Sequence, residues 1–368
     1  MSVSFIADVH VHNHRKFGGA SIGGINIRCR EILTALQEAC EHAKKSKSDA
    51  FVILGDLFDN TRPSPQMIAA VMDCLAAGHP NTLLLVGNHD QVSAYSGDHA
   101  MAPLKVLQNV TVVDKSETFI VDSDTPLAVV PFKPGSAREW LPAELGKLGD
   151  LTGYTVCVHL GIMDGNTPVY MQNVHDAIHV DDLVSLKRKH GFRHVIAGNW
   201  HHHDFWDLHE QRLTVVQTGA LVPTGFANPG LHGYGTVGLI RKDRFSKHIV
   251  VGPRYVKVRS LQELENLANL DGHDPASPHT IRARWTVPPG EIASAVEVAK
   301  AIPLDLEVIP DAKIANQSAR SAAIAARSAE TMDEALKAFI SRMDLPEGVL
   351  SEDIIQMTKD YLGGKHNG

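Results

Sequence analysis

Five short clusters along this chain carry side chains that bind divalent cations. They are Asp8-Val9-His10, Gly55-Asp56-Leu57-Phe58-Asp59, Gly87-Asn88-His89-Asp90, a single His159, and Gly198-Asn199-Trp200-His201-His202-His203. Such a mixture of carboxylates, imidazoles and a carboxamide suits a pair of cations about 4 Å apart, which clamp the attacking and leaving oxygens of a phosphoryl transfer. Asp8 and His10 stand two residues apart just beyond a strand-like run, so both can turn to one side. Asp56 follows the next strand and is the natural carboxylate to bridge two ions. Asn88 offers a neutral carbonyl oxygen, while its neighbour His89 points elsewhere and stays available as an acid. His159 and members of the histidine triplet complete a mixed nitrogen and oxygen shell. Its oxygen share favours manganese, with magnesium, iron or zinc as the other ions such a shell holds.

Taken singly, each cluster has a plainer explanation, because a lone Asp or His after a strand is more often a cap or turn residue. Their occurrence together, in this order and each directly after a strand-like run, is far more specific. The triplet allows two registers. On an extended segment His201 and His203 project to one side and His202 to the other, which makes His201 and His203 the ligand pair. An ungapped count from Gly198 instead puts Asn199 and His201 in the ligand positions, and His201 is common to both. His12 and His14 lie close enough to Asp8 and His10 to line the site mouth, although ordinary loop histidines explain them at least as well, and Lys133 and Arg138 could contact phosphate, although an exposed basic residue is usually just solvated.

Positioning these clusters requires strands that end where they begin. Ser4 to Ala7, Phe51 to Leu54, Thr82 to Val86, Tyr154 to Val158 and His194 to Ala197 are apolar runs, each leading into one cluster. Ligands collect beyond the carboxyl ends of strands in open α/β sheets. Arg28 to Ala43 and Met67 to Ala77 carry helical apolar stripes between them. With further runs at Leu127 to Val130, Leu213 to Gln217 and Gly235 to Ile240, the expected fold is α/β, two packed mixed β-sheets flanked by helices, over residues 1–260. A small α+β cap of β-α-β form follows over 261–312, with strands at Ile281 to Val287 and Leu304 to Ile309 around a helix at Glu291 to Ala301. Residues 313–368 read as an Ala- and Ser-rich linker and a helical tail, with an amphipathic stripe from Met332 to Met343.

Composition excludes some classes. A formal net charge of -7 argues against a basic nucleic-acid coat, although Arg241, Lys242, Arg244, Lys247, Arg254, Lys257 and Arg259 make a local basic run. That run is either the solvated face of surface strands or a phosphate track. The four cysteines show no C-x-x-C spacing and read as reduced core residues. No apolar run approaches the roughly 20 residues that span a bilayer, and the start lacks a secretory pattern, so the expectation is a cytoplasmic protein without membrane partners.

The ordered clusters resemble the calcineurin-like metallophosphoesterase superfamily, whose pattern is D-x-H, G-D-x-x-D, G-N-H-D/E, H and G-H-x-H, over roughly the first 205 residues. Asp8-Val-His-Val-His with a long following loop, then Gly55-Asp-Leu-Phe-Asp-Asn and Pro63, are most similar to SbcD-type DNA-repair nucleases. The resemblance implies that Asp8, His10, Asp56 and one final histidine hold the first ion. Asp56, Asn88, His159 and the other final histidine hold the second. It further implies that His89 protonates the leaving group or contacts the scissile phosphate, with Asp90 orienting its imidazole. The implied activity is exo- or endonucleolytic cleavage of DNA phosphodiesters in repair or recombination. The implied partners are DNA, a SbcC-type ABC ATPase reached through the helical tail, and a second copy in a homodimer. A small-molecule phosphodiesterase acting on cyclic nucleotides or nucleotides needs only the same metals and a compact pocket. The departure from the pattern is Asn199-Trp200 after Gly198, which leaves the final histidine assignment open.

Overall fold

The computed structural model describes residues 2–93, 97–121, 126–167, 174–227, 235–241, 244–250, 252–268, 281–302 and 304–311, with residues 340, 352, 354 and 355. They form two compact units, the first reaching Tyr255 and the second starting at Val256.

The first unit begins with β1 (Ser2–Ile6), a short hairpin of β2 (Ser21–Ile22) and β3 (Ile25–Asn26), α1 (Ile27–Lys45), β4 (Ala50–Ile53) and α2 (Pro65–Ala76). Next come β5 (Thr82–Leu85), β6 (Val110–Val113), β7 (Glu117–Ile120), β8 (Pro126–Val130), α3 (Ala137–Leu148) and β9 (Thr155–His159). It continues with β10 (Gly161–Met163), β11 (Ala177–His179), α4 (Val180–His190), β12 (His194–Gly198), β13 (Asp204–Leu208), β14 (Leu213–Gln217), β15 (Gly235–Arg241) and β16 (Arg244–Val250).

Two six-stranded sheets result, in the orders β16-β15-β1-β4-β5-β6 and β13-β14-β12-β9-β8-β7. The first is parallel from β1 through β6 with antiparallel β15 and β16 at one side, and the second has a parallel centre with an antiparallel strand at each edge. The parallel strands read as near-continuous apolar runs because both of their faces are covered. Phe5, Val52 and Leu85 of the first sheet share one buried cluster with Val129, Cys157, Ile196 and Val216 of the second. The outer face of the first sheet packs under α1 and α2, and that of the second under α3 and α4. The architecture is therefore the α/β sandwich that the sequence pattern predicts. Asn26 starts α1 by accepting from Cys29 N, and Ser64 does the same for α2 with Pro65 in the first turn. Cys40 and Cys157 are free and buried, and burial pushes each thiol up to about 12, as expected of inert core cysteines.

The second unit contains α5 (Leu261–Ala268), β18 (Ile281–Val287), α6 (Ile292–Ala299) and β19 (Asp305–Pro310), with β17 (Arg254–Val258) crossing the boundary into its three-stranded sheet. β18 and β19 are parallel, which α6 makes possible as the crossover. Ala283, Trp285, Val287, Leu264 and Ala295 form its core. The linker and tail expected after residue 312 lie outside the described residues, apart from Ile340, which is helical and buried, and three residues of the last segment. Among the described residues, no helix is long and apolar enough to cross a membrane.

Candidate metal centre

Beyond their carboxyl ends, β1 and β4 continue side by side. Asp8 N donates to Gly55 O (3.2 Å), His10 N to Asp56 O (3.0 Å) and Val11 N to Leu57 O (3.0 Å). Asp8, His10 and Asp56 adopt φ of 51°, 52° and 51° along this path. That left-handed region costs a non-glycine residue on the order of 1–3 kcal/mol, and it persists only where surrounding bonds over-determine it. Its effect here is to turn all three side chains to one place. Two glycines make room for them. A Cβ on Gly55, at φ +94°, would lie 2.3 Å from His159 Nδ1, and one on Gly87 would lie 2.1 Å from Asp56 Oδ1.

Two groups of donors meet there. At the rim His10, Asp59 and His89 form a further group, while Asp8, His10 and His201 offer ligand atoms within 4.8 Å of one another, and so do Asp8, Asp56 and His159. Asp56 divides its carboxylate between them, with Oδ2 3.9 Å from His10 Nε2 and Oδ1 3.4 Å from His159 Nε2. His10 Nε2 and His201 Nε2 are 2.9 Å apart. His159 donates from Nδ1 to the Leu54 carbonyl, and its Nε2 lies 2.9 Å from Asn88 Oδ1. The bond at one ring nitrogen fixes the other as the metal-facing atom.

The electrostatics match a site that holds positive charge. Burial pushes Asp8 up to about 6 against the opposing pull of His159. Burial disfavours a charged His159, but the Asp56 carboxylate outweighs it and raises the imidazole to about 9. Asp56 is also buried, yet the His159 charge holds its carboxyl well below the usual range. For His201 burial dominates and lowers the ring to about 4, which favours the neutral imidazole a cation requires. The donor set thus fits two divalent ions: two carboxylates and two imidazoles at one position, and a shared carboxylate, a carboxamide and an imidazole at the other.

Seven predicted residues, Asp8, His10, Asp56, Asn88, His89, His159 and His201, come together; the others take different places. His89 stands at the rim with 43 % of its side chain exposed, its backbone N–H donating to Asp56 Oδ1 (2.9 Å). Its Nδ1 donates to the Asp59 carbonyl (3.0 Å). Asp90 does not orient that ring. Its two carboxylate oxygens accept from Phe58 N and Gly87 N, each at 3.0 Å, so it braces the two loops that carry Asp56 and Asn88. His203 does not join the donors either: its Nδ1 donates to Thr218 O (3.1 Å) and its ring stacks on Phe245. His202 Nε2 lies 3.0 Å from Asp204 Oδ2 at the exposed surface. Asn199, at φ 91°, donates its backbone N–H to both Asp8 oxygens (3.1 and 3.0 Å) and its Nδ2 to Asp176 Oδ2 (2.9 Å). Of the triplet His201 alone reaches the donors, and the Asn199 carboxamide, which an ungapped count from Gly198 would make a ligand, turns to Asp176 instead.

Asp59 and Asp176 are the residues that sequence reasoning passed over. Asp59 Oδ1 lies 3.1 Å from His10 Nδ1, and its own place as second acid of Gly-Asp-x-x-Asp was the available signal. Asp176 is far from any cluster in sequence and carried no signal. The basic run also divides. Arg241 pairs with Ser2, at the start of β1, and Arg241 lies opposite Arg244 in the β15–β16 hairpin, whereas the donors follow the other end of β1.

A two-sheet α/β sandwich with cation donors at the ends of its parallel strands defines a metal-dependent phosphoesterase. Residues 1–213 match the calcineurin-like phosphoesterase family, and the chain belongs to that family of metal-dependent hydrolases. None of the curated proteins matches it. Among solved structures, it is similar to a dimetal phosphatase from Danio rerio, with 14% identity, a TM-score of 0.44 and coverage of 67% of this chain and 95% of that one. A metallophosphoesterase from Sphaerobacter thermophilus shows 16% identity and a TM-score of 0.34 over 68% of this chain and 88% of its own. A putative 5'-nucleotidase from Staphylococcus aureus shows 13% identity and a TM-score of 0.41 over 67% and 52%.

Proposed function

We propose that this phosphoesterase hydrolyses DNA phosphodiesters with a pair of manganese ions, as the catalytic subunit of a SbcCD-like complex. The observation that supports two-ion chemistry is the Asp56 carboxylate, whose oxygens face separate donor groups built on His10 and His159. When bound, such ions supply an activated water and positive charge at the phosphate oxygens. The remaining work falls to the chain. Asp56 and Asn88 hold the two positions in register, and the Asp59 carbonyl accepts the Nδ1 hydrogen of His89, so the imidazolium form has its second hydrogen, on Nε2, to give to the departing oxygen. Asp8, His10, Asp56 and His159 are buried, Asn88 and His201 are half-buried and His89 is exposed at the rim, an arrangement that suits a polymer strand approaching from outside.

The motif resemblance extends the reading to DNA, to a SbcC-type ATPase and to a second copy of this chain. A small nucleotide diesterase is the competing reading, favoured by the placement of Arg241 and Arg244 away from the donors. Purified protein with manganese, given linear duplex DNA, single-stranded DNA and a chromogenic phosphodiester, tests both. Degradation of DNA is the expected result, and cleavage of the small ester alone overturns it in favour of the competitor.

A further inference from the structure

Beside the donor groups lies a cavity of about 190 Å³ that hydrolysis as described does not use. His10, Asp59 and His201 form one wall, so the cavity opens onto the place where a phosphoester would lie. Val9, Ile32, Val222 and Pro223 give it apolar surface, and His14, Arg28, Glu31 and Thr224 contribute polar groups. The walls are braced from behind. The Arg28 guanidinium donates to the carbonyls of Lys16 (3.1 Å) and Thr224 (2.9 Å), which ties the loop before α1 to the segment after β14. Phe17, Phe226 and Tyr255 pack on one another at ring distances of 6.1, 6.3 and 5.1 Å and hold the same two segments together.

An apolar cavity of roughly 150 Å³ holds a single benzene. This one therefore has room for one ring system, not for an extended chain. Apolar walls with a few placed polar groups are the usual construction of a site for a flat or cyclic ligand. We propose that the cavity is a subsite for one ring, base or sugar, of a nucleotide esterified to the phosphate in the metal centre. The specificity it confers is for ring-bearing phosphodiesters over open-chain ones, and it rests on the two-ion hydrolysis proposed above.

The test uses the full chain with manganese and two alkoxide-leaving diesters, the dinucleotide thymidylyl-thymidine and the open-chain glycerophosphoethanolamine. The expected kcat/KM is at least about tenfold higher for the dinucleotide, carried by KM, because a ring lodged in an apolar pocket strengthens binding by that order. Val222→Phe, which fills the cavity, should lower that ratio about tenfold while calorimetry shows manganese binding retained. If that variant does not fold, Ile32→Phe fills the cavity from the α1 side. Free thymidine should also compete with the dinucleotide in the unmodified chain. Equal kcat/KM for the two esters, or a filled variant that changes both alike, overturns the subsite and leaves two-ion hydrolysis standing. Hydrolysis of neither ester by manganese-loaded protein overturns the hydrolytic reading and the subsite with it.

Discussion

The Asp59 carbonyl oxygen lies 3.0 Å from His89 Nδ1, so the main chain holds one ring hydrogen there and leaves Nε2 as the position that gains and gives the second. The same residue's carboxylate approaches His10. Asp59 thereby links the exposed acid to the buried donors through its own main chain and side chain.

His89→Asn should lower kcat on a phosphodiester by about 10²–10⁴-fold, the range for removing a general acid. Cation affinity should stay within about threefold, because the exposed ring joins only the rim group with His10 and Asp59 and neither group that faces the Asp56 carboxylate. Steady-state kinetics with parallel calorimetry check this, and an unchanged kcat would remove the acid role from His89.

His201 and His203 should behave differently despite their H-x-H spacing. His201→Ala deletes an imidazole 2.9 Å from His10 Nε2 and should weaken manganese binding by about 10- to 100-fold. His203→Ala removes a bond to Thr218 O and a stack on Phe245, so its effect should be a lowered Tm equivalent to about 1 kcal/mol. Calorimetric titration of both variants separates the two, and a larger binding loss for His203→Ala would reverse the assignment.

Protons compete with cations at this site. Burial raises Asp8 to about 6 and Asp90 to about 7, and Asp56 raises His159 to about 9 against its burial. All three values lie above the ordinary ones of 3.8 for Asp and 6.5 for His, so the metal-free fold holds protons that the unfolded chain gives up. By linkage its stability falls as pH rises, the aspartate share between about pH 4 and 7 and the His159 share between about 6.5 and 9. His201 and His14, each lowered to about 4 by burial, oppose this trend below about pH 6.5, so metal-free Tm should be higher near pH 6.5 than near pH 9, where Asp90 and His159 set the slope. Excess manganese should stabilise most at the alkaline end, because cation binding displaces these protons. Thermal scans with and without the ion measure both trends, and a metal-free Tm that climbs over this range would contradict the first.

Gly87→Ala should be severe for a reason unrelated to backbone conformation. The added Cβ would sit 2.1 Å from Asp56 Oδ1 and 2.3 Å from Asp56 N, so the bridging carboxylate must move. A loss of about 1–3 kcal/mol in stability is expected from such overpacking, together with weaker cation binding. Gly146→Ala, with open space around it on α3, is the control that should leave Tm unchanged or raise it.

Much of the fold was legible because its signals are local. Strands such as Ala50–Ile53 and Thr82–Leu85 are covered on both faces and read as apolar runs, and each ends at a polar cluster. The helices α3 and α4 and the hairpin β2–β3 were not singled out. Pro142 lies inside α3, and the hairpin is two residues per strand, too short for a period to show.

By itself the sequence determined the donor types, their order, and the strands that deliver them, since these follow from side-chain chemistry and a repeat visible in the chain. Only the tertiary structure decided which donors meet. The alternation that paired His201 with His203 holds along an extended strand, but β12 stops at Gly198 and Asn199 turns at φ 91°. From there, direction is set by bonds such as Asn199 N to Asp8, across 191 residues of chain. A contact of that separation leaves no period in the sequence, because neither residue's neighbours need resemble the other's. The same holds for Asp59, whose carbonyl and carboxylate serve two histidines that spacing alone kept apart.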